Sequence, residues 1–262
     1  MRTLTLPTLL LAITLPIHAQ DTPKHNQRTP VLVELFTSEG CSSCPPADDL
    51  LARLQHDQPI PGAEIIALGL HVDYWDQQGW HDRFSSPDYT QRQKDYQLRF
   101  KTSDIFTPQI VVAGAAQFNG TDAQGISKAI AATTESTTLP LELADIKING
   151  RRVTATLRAG SALQPSPGDL YAALVDPADS TDVRGGENKG HTLHHASVVR
   201  TLTRIASLKD LARGPVNVNL KAPDDPAKMH LIVFAQKPDA GPVLGAASAS
   251  IAPAPPAIAQ LR

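Results

Sequence analysis

The two cysteines of the chain lie three positions apart, where a buried strand should give way to a helix. Residues 31–36 are a short apolar run typical of a strand, and the leucines within 50–54 have the spacing of a helix's inner face. Cys41 and Cys44 come between them. Cys41 should therefore lie exposed near a helix N-terminus, where free N–H groups and the helix dipole favour a thiolate.

Three explanations fit a cysteine pair at this spacing. A thiolate attacks disulfides, which makes the pair useful in redox chemistry, with Cys41 as nucleophile and Cys44 as resolving thiol. A structural disulfide usually closes a longer loop, because a short cross-link constrains the unfolded chain little. Structural zinc prefers four N or S ligands, and the sequence has no second cysteine pair. Redox chemistry is favoured, and the other two explanations stay open.

Composition and the N-terminus indicate an exported globular protein. The chain has 262 residues, 41% of them hydrophobic, and a formal charge of −2, which gives no reason to expect nucleic acid or an anionic membrane as partner. Residues 1–20 have the order of a signal peptide, with Arg2, an apolar stretch too short to span a membrane, and Ala19 before the cleavage point. We expect a periplasmic or secreted protein, in a compartment where disulfides persist.

The pattern over residues 28–135 predicts an α/β domain. Strands are predicted at 31–36, 63–72, 110–113 and 117–119, and helices at about 41–56, 87–101 and 121–133. The first three elements form a βαβ unit, and the two short strands form a hairpin. Thr121 is the predicted N-cap of the last helix.

The remainder of the chain changes in character after a polar linker at 133–140. Strands are predicted at 141–148, 153–157, 170–175, 193–202, 216–220 and 229–236. The Asn149-Gly150 pair is a strong hairpin signal. These strands predict an all-β, sandwich-like domain over 139–250 with a core of its own. Residues 251–262 form a Pro/Ala tail that cannot build a core.

Aromatic and histidine side chains follow the second strand. Ligands of parallel sheets bind at the carboxyl ends of strands, so His71 should lie beside the cysteines. It can act as a base, as the third ligand of a copper site with Cys41 and Cys44, or as a loop anchor bonded to Asp73 or to the backbone. Trp75 and Trp80 lie in a polar loop and are candidates for a groove that binds an unfolded chain or peptide.

The second half carries weaker functional signals. His195 has two further histidines close by, at 191 and 194, but on a strand residue 194 points away from the other two. The cluster has no carboxylate or thiolate near it in sequence, so metal binding there is not favoured. Glu187 and Asn188, in a glycine-rich segment, are interpreted as a structural turn.

The first half resembles thioredoxin, with a strand, Cys-x-x-Cys at a helix start, a strand, a helix, then Thr107-Pro108 before a hairpin and a last helix. The resemblance implies that Pro108 is cis and lies against the dithiol, shaping the substrate groove together with Thr107. It also implies that Glu34 is the buried acid on the strand before the motif and serves as a proton acceptor.

Longer segments resemble the secreted family known as domain of unknown function 1223. They are residues 33–48, 71–76 and 106–109, and the sequence Gly186-Glu187-Asn188-x-Gly190 followed by His195 and 198–200. This resemblance implies a thioredoxin-like domain followed by a β-rich C-terminal domain, and it leaves the activity open.

We therefore expect an exported thioredoxin-like protein whose Cys41–Cys44 dithiol acts, without a cofactor, as a thiol–disulfide oxidoreductase on protein thiols or disulfides. No cation lies between the cysteines and Glu34 and Glu39 oppose a thiolate, which favours a reducing or isomerising poise. One alternative is a copper-binding protein or metallochaperone that uses Cys41, Cys44 and His71. Another is a non-catalytic binding module of the cell envelope.

Overall fold

The computed structural model describes residues 28–136, 138–160, 163–164 and 166–251. The predicted signal peptide and residues 252–262 of the predicted tail lie outside this part of the chain. The elements follow in the order β1 (Thr29–Thr37), α1 (Pro45–Asp57), β2 (Ala63–His71), α2 (Pro87–Phe100), β3 (Gln109–Val112), β4 (Ala116–Asn119), α3 (Ala123–Thr134), β5 (Leu141–Asn149), β6 (Arg152–Ala159), β7 (Asp169–Asp182), β8 (Thr192–Ser207), α4 (Leu208–Arg213), β9 (Val216–Lys221), β10 (His230–Gln236) and β11 (Val243–Ser250).

Two sheets organise these elements. The large sheet has the strand order β11-β10-β7-β8-β2-β1-β3-β4, and the small sheet has the order β5-β6-β9. β1 pairs with β2 in parallel and with β3 in antiparallel orientation. The two halves of the chain meet where β2 and β8 run parallel, with Gly69 opposite Val198. The large sheet is therefore continuous across the predicted linker at 133–140.

Helices cover both faces of the β2-β1-β3-β4 part of the large sheet. Residues of β1 alternate between the two faces because a strand has a period of two. Val33 and Leu35 pack with Leu51 of α1 and Ile126 of α3. Leu32 and Phe36 pack on the opposite face with Tyr89 and Tyr96 of α2, in a core that also includes Phe234 of β10. That core is built from both halves of the sequence.

The small sheet covers the other end of the large one. Leu157 of β6 and Val218 of β9 share a core with Leu174 of β7 and Val233 of β10. The protein is thus a mostly-sheet α/β fold with a large mixed sheet and a second small sheet. Among the described residues, no helix is both long enough and apolar enough to cross a membrane.

Several element boundaries differ from the predicted ones for local reasons. α1 begins at Pro45, not near residue 41, because a proline fits the first turn of a helix, where no N–H is required. Asp122, not Thr121, caps α3, accepting a hydrogen bond from the Gly125 amide at 2.9 Å. Ile251, predicted to start the tail, is buried in the core beneath the small sheet.

A buried ion pair links β1 to α2. Glu34 accepts two hydrogen bonds from Arg92, at 2.5 Å and 3.0 Å, and a third from the Tyr96 hydroxyl. Arg92 also donates to Gln236 of β10 at 3.1 Å. Glu34 thus lies on the α2 face of the sheet, whereas the cysteine motif leads into α1 on the other face. This placement does not support the predicted role of Glu34 as proton acceptor for the cysteines.

Removing one partner of a buried ion pair leaves an uncompensated charge in the core. We expect Arg92→Met to lower the free energy of unfolding by about 3–5 kcal/mol, measured by urea denaturation. The double variant Glu34→Leu/Arg92→Met should recover most of that loss, and Lys94→Met, at an exposed position of the same helix, should cost little. A double variant as unstable as the single one would contradict this account.

Candidate functional site

Cys41 and Cys44 form a disulfide at the entrance to α1. Cys44 is the N-cap of the helix, and its carbonyl accepts hydrogen bonds from the amides of Ala47 at 2.8 Å and Asp48 at 3.1 Å. Cys41 precedes the helix by one turn. The predicted strand-to-helix position of the pair is therefore confirmed, with Cys44 as the residue at the helix end.

The first turn of α1 offers few donors to a thiolate. Pro45 and Pro46 carry no N–H, so two of the free groups that a helix N-terminus normally presents are missing. The Cys41 sulfur lies 3.4 Å from the Ser43 hydroxyl oxygen. The helix end therefore supports a thiolate less than the sequence suggested.

The second half of the chain covers the disulfide. Cys41 and Cys44 are both 0% exposed, so the expectation of an accessible Cys41 is wrong for the oxidised protein. The cover is the β7–β8 loop (residues 183–191). The Asn188 side chain donates to the carbonyls of Glu39 at 2.9 Å and Cys41 at 3.0 Å. Asn188, interpreted as part of a structural turn, thus binds the backbone of the cysteine motif directly.

Glu187 binds the motif beside Asn188. Its carboxylate accepts hydrogen bonds from the hydroxyl of Ser42 at 2.7 Å and from the Ser42 amide at 3.0 Å. These two bonds lower the pKa of Glu187. The β7–β8 loop therefore binds Ser42, which lies between the cysteines, through the exposed Glu187 carboxylate.

The predicted groove residues lie around the motif. The Thr107–Pro108 bond is cis, as predicted, and Pro108 is buried. A Cβ placed on Gly120 would lie 2.7 Å from the Cβ atoms of both Pro108 and Ala47, so Pro108 sits close to the first turn of α1. Trp75 donates to the Thr107 hydroxyl at 2.8 Å and lies against Gly40.

Trp80 extends this arrangement toward the β7–β8 loop. Its indole N–H donates to Glu39 at 2.7 Å, and a Cβ on Gly186 would lie 3.0 Å from the Trp80 Cβ. Trp75 and Trp80 are both half-buried, so each leaves part of its ring at the surface beside the covered disulfide.

Beneath the motif lies a buried cluster of Glu39, Asp48, His71, Asp82 and His195. His71 donates from Nδ1 to Asp82 at 2.7 Å, so its anchor is the Asp82 side chain, where the sequence suggested Asp73 or a backbone group. Asp82 also accepts from the amides of Glu39 and Phe84, each at 2.9 Å. Burial alone would raise the pKa of Asp82, but His71 and these amides outweigh it and lower the pKa to about 2.

His195 reaches the cluster from β8. Its Nδ1 lies 3.5 Å from an Asp48 oxygen and its Nε2 lies 3.4 Å from a Glu39 oxygen. Its ring centroid is 4.8 Å from that of His71. Burial alone would lower the pKa of His195, but the Asp48 and Glu39 carboxylates outweigh it and raise the pKa to about 9.

The cluster contains residues that could hold a metal ion. Asp48, His71 and His195 each offer a ligand atom, and these atoms lie within 4.8 Å of one another. In the described part of the chain, the potential ligand atom of His71 lies near those of Asp48 and His195, whereas the two cysteine sulfurs are bonded to each other. The predicted copper ligand set of Cys41, Cys44 and His71 is therefore not assembled in this structure.

Sequence reasoning missed part of this site for two different reasons. Asp48 gave a usable signal, since a carboxylate between Ala47 and Leu51 falls on the inward face of α1. Asn188 and His195 fall in a segment that resembles the family, but nothing in the sequence indicates their partners, which are far away along the chain. The bond from Asn188 to Cys41, for example, spans 147 residues.

Comparison with known proteins places the chain among related sequences. Residues 32–236 match a family model described as protein of unknown function (DUF1223). The fold is similar to the crystal structure of a protein from Agrobacterium tumefaciens, determined by a structural genomics consortium. The TM-score is 0.68 at 25% sequence identity, over 87% of this chain and 97% of that chain. A search of the curated proteins gave no match.

Because His195 is charged in the folded protein, the free energy of unfolding should fall as the pH becomes alkaline. Its pKa of about 9 lies above the ordinary 6.5, so its stabilising contribution is complete below pH 6.5 and is lost as the pH rises through about 9. We expect chelator-treated protein to lose up to about 3 kcal/mol of unfolding free energy over this range, measured by urea denaturation. His195→Asn should lack this loss, and His194→Asn, at an exposed position, should retain it. The interpretation fails if His195→Asn loses as much stability as the wild type.

Proposed function

The chain belongs to the family of proteins of unknown function DUF1223, and from that premise we propose that it is an exported thiol–disulfide oxidoreductase with a thioredoxin-like first half. The reactive pair is Cys41–Cys44, and the substrates are protein thiols or disulfides. The observation that carries the proposal is the disulfide at the junction of β1 and α1. An exported location agrees with the signal-peptide order of residues 1–20, since disulfides persist outside the cytoplasm.

The surrounding architecture supports a thioredoxin-like assignment. The elements follow in the order β1, α1, β2, α2, the β3–β4 hairpin and α3, as the resemblance implied. α1 and α3 pack on one face of these strands and α2 packs on the other. Pro108 lies close to the first turn of α1, as the resemblance implied. The long β7–β8 hairpin is the addition that covers the reactive pair.

The exchange reaction follows from the two sulfurs. In the reducing direction, the Cys41 thiolate attacks one sulfur of a substrate disulfide and forms a mixed disulfide, while the other substrate sulfur leaves as a thiolate. The Cys44 thiolate then attacks the Cys41 sulfur, which closes the Cys41–Cys44 bond and releases the second substrate thiolate. Two electrons pass from the pair to the substrate, and the structure contains the oxidised product.

The environment of the pair favours a reducing poise. A strong oxidant needs a stabilised thiolate, and here Pro45 and Pro46 remove helix N–H donors. The neighbouring acids Glu39 and Asp48 are buried and oppose additional negative charge. We therefore expect a reduction potential closer to the about −270 mV of thioredoxin than to the about −120 mV of a strong disulfide oxidant.

Trapping the mixed disulfide tests the proposed exchange. The reduced wild-type protein should reduce insulin disulfides, and both Cys41→Ser and Cys44→Ser should stop turnover. Cys44→Ser should accumulate an adduct that dithiothreitol releases, visible on a non-reducing gel, because the resolving thiol is missing. Asp49→Asn, at an exposed position of α1, should reduce insulin as the wild type does. The proposal is refuted if the wild type leaves insulin intact and Cys44→Ser collects no adduct.

The β7–β8 loop should limit access to the disulfide. Asn188→Ala removes the two hydrogen bonds to the motif backbone, so opening becomes easier. We expect dithiothreitol to reduce the disulfide up to about thirtyfold faster in this variant, because two bonds worth about 1 kcal/mol each are lost. The rate is followed by alkylation of the freed thiols. Lys189→Ala, an exposed neighbour in the same loop, should match the wild type, and an unchanged rate in Asn188→Ala would exclude this gate.

A further inference from the structure

The buried cluster beneath the disulfide has the features of a metal site. We propose that Asp48, His71 and His195 bind one divalent transition-metal ion of the zinc type. The three residues come from α1, the end of β2 and β8, and they are only 6%, 1% and 5% exposed. The site contains no sulfur, so it is separate from the reactive pair and does not depend on the proposed redox function.

The donor set fits zinc chemistry. Zinc takes imidazole nitrogens and carboxylate oxygens at about 2.0–2.1 Å, and a set of three protein ligands is typical of sites that keep a position open. Two such ligands in tetrahedral geometry lie about 3.3–3.4 Å apart. The distance of 3.5 Å between His195 Nδ1 and Asp48 Oδ1 is long for a hydrogen bond between charged groups and close to that spacing.

Unpartnered buried atoms point to the same position. In the described part of the chain, His71 Nε2 and His195 Nδ1, the two nitrogens that face the proposed ion, are buried without a hydrogen-bond partner. Buried polar atoms are rarely left in this state, because losing water without a replacement costs free energy. An ion between Asp48, His71 and His195 would engage one nitrogen of each histidine.

Each proposed ligand is also oriented by a second residue. Asp82 accepts from His71 Nδ1, which leaves the Nε2 lone pair free for a metal. Thr37 donates to Asp48 Oδ2 at 2.9 Å, which leaves Oδ1 toward the centre. Glu39 lies 3.4 Å from His195 Nε2, the nitrogen on the far side of that ring from Asp48. Carboxylate partners behind histidine ligands are a regular feature of metal sites, where they fix the tautomer and the ring direction.

The charge balance of the cluster also favours a cation. Glu39, Asp48 and Asp82 bring three carboxylates into a region that is almost fully buried, against two imidazoles. Buried charges are stable only when paired or when they coordinate a metal. A divalent ion would supply the positive charge at the centre of the group.

Cobalt(II) is a suitable probe because it substitutes for zinc and its visible absorption reports the coordination geometry. Purified chelator-treated protein should bind one Co(II) per chain, with the bands of a tetrahedral site, and Zn(II) should displace it. Asp48→Asn and His195→Asn should weaken Co(II) binding by more than about tenfold. Asp49→Asn and His194→Asn, exposed neighbours on the same two elements, should bind as the wild type does.

The wild-type titration decides the proposal even if a variant fails to fold. If folded wild-type protein takes up no Co(II) or Zn(II), the cluster binds no metal ion and the proposal is overturned. It is also overturned if the exposed controls lose as much affinity as the site variants. The double variant Cys41→Ser/Cys44→Ser should retain full binding, and loss of binding there would assign the ion to the thiols. Because that variant abolishes disulfide exchange, the two proposals succeed or fail separately.

Discussion

The short parallel contact between β2 and β8 joins the two halves of the chain, and the arrangement of the site depends on it. Gly69 lies opposite Val198, and a Cβ at Gly69 would be 3.0 Å from the carbonyl oxygen of Ala196. The residue without a side chain therefore allows a backbone approach that any other residue would force apart. Ser197, which precedes Val198, has a φ of 54°, a left-handed conformation within β8. Through this contact β8 brings His195 beneath the cysteine motif, and the loop before β8 brings Asn188 over it.

Glu39 contacts both the β7–β8 loop and the buried cluster, and it lies next to the cysteine motif in the sequence. Its carbonyl accepts from Asn188, its amide donates to Asp82, and its carboxylate lies between Trp80 and His195. A movement of the β7–β8 loop that exposes the disulfide therefore acts on the same residue that orients His195. The covered disulfide and the polar cluster therefore lie on two sides of one short piece of backbone.

The sequence predicted the elements whose signals are local. The strand at 63–72 is found as Ala63–His71 and the helix at 87–101 as Pro87–Phe100, because apolar periodicity alone determines such segments. β11 (Val243–Ser250) was missed because it is rich in Gly, Ala and Ser, which have low strand propensity. The cover of the disulfide could not be predicted either, since its contacts join residues about 150 positions apart and leave no periodic trace.

The positions of two acids show how strand geometry directs side chains. Glu34 and Glu39 both precede the cysteines, and resemblance favoured Glu34 as the acid of the site. Alternation along β1 places Glu34 with Leu32 and Phe36 on the α2 face, where Arg92 neutralises it within the core. Glu39 follows the end of β1 at Thr37, so the alternation no longer fixes its direction, and its side chain reaches His195. The acid beside the cysteine motif is therefore Glu39, which follows the strand, and its carboxylate contacts His195 from the second half of the chain.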